Sequence, residues 1–315
     1  MLAYFFKMAK GEFQGLDTKG VSQAFDSLRA DAPTMIFWMF LVVILSFLVC
    51  SMGLQSGVER INKIMMVVLL LLMGVLAVNS CLLPGAEGLK FYLVPDFGKL
   101  MENGISEAVF AAMGQAFFTL SLGIGALGIF GSYIGKERKL TGEAVNILIL
   151  DTTVALIAGM IIFPACFAFG INPGEGPGLV FVTLPNVFNE MPGGRLWGAL
   201  FFLFMTFAAL STIIAVFQNL ISFAQDLWNW SLKKAVVVNG VAVFVLSLPC
   251  IFGMTVWSDF TILGKQIMDF EDFLVSNNML PLGSLVYLLF CVSRYGWGWG
   301  NFLKEANTGE GVSFP

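Results

Sequence analysis

The apolar positions of this chain gather into seven long runs: 35–54, 61–83, 108–134, 145–170, 196–224, 235–253 and 272–293. Each is close to the ~20 residues that a helix needs to cross the hydrocarbon of a bilayer. No run alternates apolar and polar residues as a barrel strand does, so the pattern predicts a bundle of transmembrane helices. The last two runs contain Pro249 and Pro281. Proline is tolerated in membrane helices where neighbours satisfy the carbonyl that it frees.

The polar joints between runs set the orientation through their lysines and arginines. Lys136, Arg138 and Lys139 crowd the 135–144 joint, Lys233 and Lys234 lie in 225–234, and Arg60 and Lys63 sit at the 55–60 turn. All three joints fall on one side, which is predicted to be cytoplasmic. The opposite joints, 84–107, 171–195 and 254–271, are richer in Gly and Pro and are predicted to be external. The tail 294–315 then lies in the cytoplasm. Segment 1–34 lies outside, although it carries Lys7, Lys10, Lys19 and Arg29. Its start, MLAYFFKMAK, is too short for a signal peptide and leads into polar sequence at Gly11–Asp17. It reads as the last turns of a helix whose beginning is absent, so further helices are expected upstream. Segment 171–195 mixes Gly/Pro turns with an amphipathic stretch, Leu179–Phe188. Two readings are open: a lid that packs back onto the bundle, or a solvated loop with a few buried apolar residues.

Composition agrees with the pattern and narrows the chemistry. Hydrophobic residues make up 57% of the 315 and charged residues 12%, against roughly 25% charged in a soluble domain. The mean hydropathy is +0.84. These values describe an integral membrane protein. The net charge of −4 gives no basic footprint for nucleic acid. The absence of histidine removes imidazole metal ligands, Ser-His-Asp triads and imidazole proton relays. The five cysteines, Cys50, Cys81, Cys166, Cys250 and Cys291, lie in or near apolar runs with no CxxC spacing, and read as buried free thiols. An enzyme is not expected, and no organic cofactor is implied.

Several positions could carry chemistry. Asp151 lies about ten residues past the basic joint, roughly 15 Å along a helix and near mid-membrane. An ionised carboxylate there must face a cavity, a cation or a partner, unless it is a protonated or internally bonded structural residue. Residues 114–133 read GQAFFTLSLGIGALGIFGSY. Their small residues suit close helix packing. The Thr119, Ser121, Gly123 and Gly125 combination equally suits a helix broken at mid-depth, whose freed backbone groups line a cavity. In the fifth run, Ala208, Ser211 and Thr212 fall at i, i+3 and i+4 on one face. A carbonyl with two hydroxyls can hold a hard cation stripped of water, or the hydroxyls can bond back to a carbonyl one turn earlier. Asp226 and Asp272 stand at span ends, where acids are usually solvated. The Tyr295–Trp299 run, YGWGW, reads as an interfacial aromatic anchor.

Together these residues resemble the bacterial neurotransmitter:sodium symporters, which share the leucine-transporter type fold. The resemblance runs from about residue 2 to the end. It is carried by GQAFFTLSLGIG (114–125), AGMIIFPACFAFG (158–170), GPGLVFVTLP (176–185), FAALSTIIAVFQ (207–218) and DFLVSNNMLPLG (272–283). It implies an all-α polytopic membrane protein: part of an inverted-repeat bundle, with seven transmembrane helices that match the family's fourth to tenth. One of these would be broken near mid-membrane. Residues 1–34 would be the end of a truncated helix and an external loop, 35–107 the end of the first repeat, 108–293 the second repeat and 294–315 the cytoplasmic tail.

The resemblance also assigns roles. Thr119 looks like a sodium ligand that also touches the substrate, and Asp151 like a ligand of the same sodium. Better-known members often carry Asn at that position, with a chloride or a Glu one turn later. Here that next residue is Ala155, so the charge of Asp151 is expected to make chloride unnecessary. Ala208, Ser211 and Thr212 look like half of a second sodium site, with Thr212 also at the substrate. Phe118 resembles the aromatic lid over the substrate, and Ser121, Ile124 and Val216 would shape its pocket. The unwound point is expected at Ser121, Leu122, Gly123, Ile124 and Gly125. Asp272 matches an external gate, and Asp226, with Tyr133 and Gln218, a cytoplasmic one.

The implied activity is sodium-coupled symport of amino acids or related small amines by alternating access, in a bacterial cytoplasmic membrane. The implied partners are the amino acid, sodium ions, the lipid bilayer and the missing helices of the same transporter. Without those helices the isolated chain is expected not to transport. The competing readings are a seven-helix receptor and a non-transporting regulatory membrane protein. Against the first, run 272–293 holds no lysine for a retinal Schiff base.

Overall fold

The computed structural model describes residues 1–52, 55–83, 86–125, 131, 135–173 and 178–315. The described chain is helical throughout apart from turns and two isolated backbone bridges. Its helices are α1 Leu2–Lys10, α2 Thr18–Ala30, α3 Ala32–Met52, α4 Gln55–Leu82, α5 Ala86–Leu93, α6 Phe97–Asn103 and α7 Ile105–Thr119. After these come α8 Leu140–Phe169, α9 Leu184–Glu190, α10 Gly194–Trp228, α11 Leu232–Met254, α12 Ile267–Leu274, α13 Leu280–Val292 and α14 Trp299–Ala306. Among the described residues, six continuous helical stretches are long and apolar enough to span a membrane: α3, Lys63–Leu82 of α4, α8, α10, α11, and Ile267–Val292, which covers α12 and α13. The seventh run, 108–134, is not one continuous helix, because α7 stops at Thr119.

The long helices are apolar all round and keep much of that surface uncovered. On α13, Val286, Leu288, Leu289 and Phe290 are exposed. Such faces suit lipid or further membrane helices, so burial inside this chain is not what makes these helices apolar.

The chain divides into two compact units. The first holds Met1–Pro95 and Leu156–Thr261, the second Asp96–Ala155 and Ile262–Pro315. In the first, α10 is the central post, packed by α1, α3, α4, α9 and α11. Glycine lets two of these approach closely: a Cβ on Gly198 would strike Met8 of α1 and Phe188 of α9. Tyr4 is buried among Phe13, Phe181 and Phe202, with ring centroids 5.2, 4.8 and 5.2 Å away. Lower on α10, Phe217 stacks on Phe47 of α3 at 4.3 Å, within a core completed by Val43, Cys50, Ile221, Ala224 and Ala235.

Of segment 171–195, the described stretch 178–195 packs back. Its residues Leu184, Pro185, Asn186, Val187 and Phe188 are all buried. A π turn, Leu179–Thr183, runs directly into them. A second π turn, Val275–Met279, joins α12 to α13. Both are followed at once by Leu-Pro: Leu184–Pro185 and Leu280–Pro281. A proline ring clashes with the carbonyl four residues earlier, here that of Phe181 or Asn277. Both of those residues lie inside the wider π turn, which gives the ring room.

The second unit is built around the end of α7. Gly123 and Gly283 of α13 meet backbone to backbone: a Cβ on Gly283 would lie 2.5 Å from the Gly123 carbonyl oxygen. A Cβ on Gly123 would in turn lie 2.9 Å from the Ser284 amide nitrogen.

Candidate functional site

The break in the 108–134 run begins where the backbone turns left-handed. The last regular turn of α7 is closed by Leu120 N donating to Ala116 O, Ser121 N to Phe118 O and Leu122 N to Phe117 O. Ser121 then takes φ +51°, and Gly123 and Gly125 both take φ +83°. Glycine adopts this region without strain, whereas a serine there is uncommon and is held by its surroundings. Residues 126–130 and 132–134 lie outside the described residues, and Tyr133 is among them.

Thr119 is the last residue of α7. Its Oγ1 donates to both carboxylate oxygens of Asp151 on α8, at 3.1 and 3.2 Å. One hydroxyl proton is thus shared between two oxygens. A carboxylate offers about four lone-pair sites, so acceptor capacity remains. Asp151 is half-buried, and Thr119 beside it is exposed. Phe118 and Ile124 are exposed, while Ser121, Leu122, Gly123 and Gly125 are half-buried.

The other expected ligands belong to the first unit and are described on their own. On α10, Ser211 Oγ and Thr212 Oγ1 both donate to the Ala208 carbonyl oxygen, at 2.8 and 3.3 Å. Three oxygens therefore converge within one helical turn. Both hydroxyls bond back to a carbonyl one turn earlier, and each oxygen keeps its lone pairs while it donates. Val216 lies one turn further along and is half-buried. Gln218 carries a buried Oε1 with no hydrogen-bond donor among the described residues. Asp226 is exposed near the end of the same helix.

Asp272 is exposed on α12 in the second unit, and Ser276 Oγ donates to its Oδ1 at 2.8 Å. Ser276 is itself buried. Neither it nor Asn277, whose Oδ1 lies over Gly114 of α7, stood out in the sequence. The signal that was there is the run V-S-N-N-M ahead of Leu-Pro.

The profile of the sodium:neurotransmitter symporter family matches residues 19–307. The uncharacterized sodium-dependent transporter YhdH of Bacillus subtilis (strain 168) is 36% identical over 291 residues, which cover 92% of this chain and 64% of that protein. An uncharacterized sodium-dependent transporter of Haemophilus influenzae is 36% identical over 277 residues, 87% of this chain and 60% of its own length. The chain thus spans less than two thirds of these relatives. The sodium- and chloride-dependent GABA transporter 2 of Bos taurus is 24% identical over 280 residues, 83% of this chain and 44% of that protein. Among solved structures, the crystal structure of MhsT in complex with L-phenylalanine matches with a TM-score of 0.90 and 38% identity, covering 99% of this chain and 70% of that one. The chain is a multi-pass membrane protein with part of the leucine-transporter type fold, and it belongs to the sodium:neurotransmitter symporter family.

Proposed function

We propose that the chain carries ion and substrate half-sites of a sodium-coupled symporter of amino acids or related small amines, which works by alternating access in a bacterial cytoplasmic membrane. The observation that carries this reading is the bond from Thr119, where α7 ends, to both oxygens of Asp151. It joins a hydroxyl and a carboxylate from separate helices beside a backbone break, where freed polar groups and a fixed charge suit a dehydrated cation. Sodium would take the place of the shared proton, with the threonine hydroxyl turned to present a lone pair. The Ala208, Ser211 and Thr212 oxygens would form part of a second sodium site. Phe118, Ser121, Ile124, Thr212 and Val216 would border the substrate, and Asp272 and Asp226, with Gln218 and Tyr133, would serve the two gates. The MhsT structure was solved with L-phenylalanine, which supports an amino acid as the cargo. Chloride is not required in this reading, because Asp151 supplies the negative charge. The receptor alternative finds no support, since the matching family and relatives are transporters.

The test is uptake into proteoliposomes by a protein of the relatives' full length that carries residues 1–315. An inward sodium gradient should drive accumulation of at least one labelled amino acid, and replacing sodium with choline should abolish it. Accumulation indifferent to sodium would overturn the proposal.

A further inference from the structure

Residues 305–314 do something that the rest of the described chain does not. Glu310 N donates to Glu137 O at 2.8 Å, and Lys139 N donates to Glu310 O at 3.1 Å. These bonds make a parallel bridge between Arg138 and Glu310. Among the described residues this is the one place where main-chain groups far apart in sequence pair. Side chains reinforce it: Lys139 Nζ donates to Ser313 Oγ at 2.8 Å, and Lys136 Nζ lies 3.9 Å from Glu305 Oε2. A polar loop at an aqueous face can be satisfied by water, so solvation alone does not demand this pairing.

The pairing segment is preformed. Asn307 closes it on itself, donating to Phe314 O at 3.3 Å and accepting from Phe314 N at 2.6 Å. Phe314 packs on Phe302 and Trp299 of α14, at 5.4 and 5.8 Å. Gly309 lies flat on the partner strand with φ +99°, and a Cβ there would be 2.6 Å from the Glu137 carbonyl carbon and 2.7 Å from the Arg138 nitrogen. Only glycine fits.

These contacts close a ring within the second unit. Gly123, at the break, abuts Gly283 of α13. The chain continues from α13 to α14, and the 307–314 loop grips residues 137–139. α8 starts at the next residue, and its Asp151 accepts from Thr119, four residues before Gly123. Apart from the Thr119–Asp151 hydrogen bond, two backbone hydrogen bonds and exposed side-chain contacts form the weakest link of that ring, because the remaining links are helices and close backbone packing. We propose that the Asn307–Phe314 loop is a releasable strap whose closure is linked to the Thr119–Asp151 hydrogen bond. With the bond made, α8 is held where residues 137–139 meet the strap. With the bond broken, α8 is free to shift and the strap opens.

The proposal is tested by hydrogen–deuterium exchange on the whole chain in lipid nanodiscs, followed in peptides that contain the Lys139 and Glu310 amides. Gly309→Val supplies the open-strap rate and should speed exchange of both amides by roughly tenfold or more, with α13 peptides unchanged. Thr119→Val should move both amides toward that rate together. Asp151→Asn, which keeps size and an acceptor, serves as a second variant and should do so less. Wild-type exchange in both site variants would overturn the linkage. Exchange in the wild type already at the Gly309→Val rate would overturn the strap. Both readouts are taken in sodium-free buffer, so transport can fail while the strap stands, and the reverse.

Discussion

Asp151 is where a single charge has the most consequence. A carboxylate in a span is costly, and the shared proton from Thr119 offsets only part of that cost. Asparagine keeps the size and one carbonyl acceptor but removes the charge. In a full-length setting, Asp151→Asn should raise the sodium concentration for half-maximal uptake by about tenfold, equivalent to ~1.4 kcal/mol of binding, or make uptake depend on chloride. Uptake that keeps its sodium activation and its indifference to chloride would defeat the idea that this charge stands in for an anion. Thr212 gives a second, smaller test. Its bond to Ala208 O is long and exposed, so Thr212→Val should change thermal stability by less than about 0.5 kcal/mol. A sodium titration should nevertheless shift several-fold to the weak side, and an unmoved titration would return the hydroxyl to a purely local role. Both residues were legible in the sequence, because a lone deep carboxylate and hydroxyls on one helical face stand out in an apolar background. That Thr119 and Asp151 meet across 32 residues was expected only from the family resemblance, since the residues of one sequence show which groups need partners and not which group meets which. Ser276 was missed for a related reason: its bond to Asp272 joins an α-helix to a π turn that hydropathy does not register.

At the scale of elements, hydropathy finds spans and is blind to backbone direction. Run 108–134 reads as one span because its side chains are apolar, while Ser121, Gly123 and Gly125 all have positive φ. The glycines marked the break. The contact that fixes its position is Gly123 against Gly283, which lies in a different run. Gly283→Ala inserts a methyl into backbone and should destabilise by ~1–3 kcal/mol. Gly123→Ala adds left-handed strain of ~1–2 kcal/mol to the same clash. Gly74 of α4 is the control, because a Cβ there meets nothing within 4 Å, and Ala in mid-helix is favoured by ~1 kcal/mol. Thermal unfolding in detergent, followed by tryptophan fluorescence, should rank the melting points Gly74→Ala highest, Gly283→Ala lower and Gly123→Ala lowest. A Gly123→Ala melting point at or above that of the Gly74 control would mean the close approach is not what holds the break. The prolines were read as tolerated interruptions of two spans. For Pro281 the tolerance has a specific form, since a π turn precedes it as another precedes Pro185.

At the scale of the whole molecule, orientation rests on lysine and arginine counts, and the fold supplies an independent constraint. Glu137 and Glu310 are joined through the backbone, so they must lie on the same side of the membrane. Between them the chain crosses by α8, α10, α11 and the α12–α13 pair. That number is even, so the count of spans and the bridge agree without reference to charge. Glu190, exposed at the end of α9, is separated from Glu137 by α8 alone and must lie on the opposite side. The prediction is a pattern of labelling by a membrane-impermeant maleimide, in a background without the five native cysteines. Glu137→Cys and Glu310→Cys should react in inside-out vesicles and stay protected in right-side-out ones, and Glu190→Cys should do the reverse. Labelling of 137 and 310 from opposite faces would break the span count and the bridge together. Labelling of both from outside would keep the fold and reverse the orientation, and the basic joints would then be external. The second result would also move Asp226, placed by the basic 225–234 joint, away from the side where a cytoplasmic gate must stand.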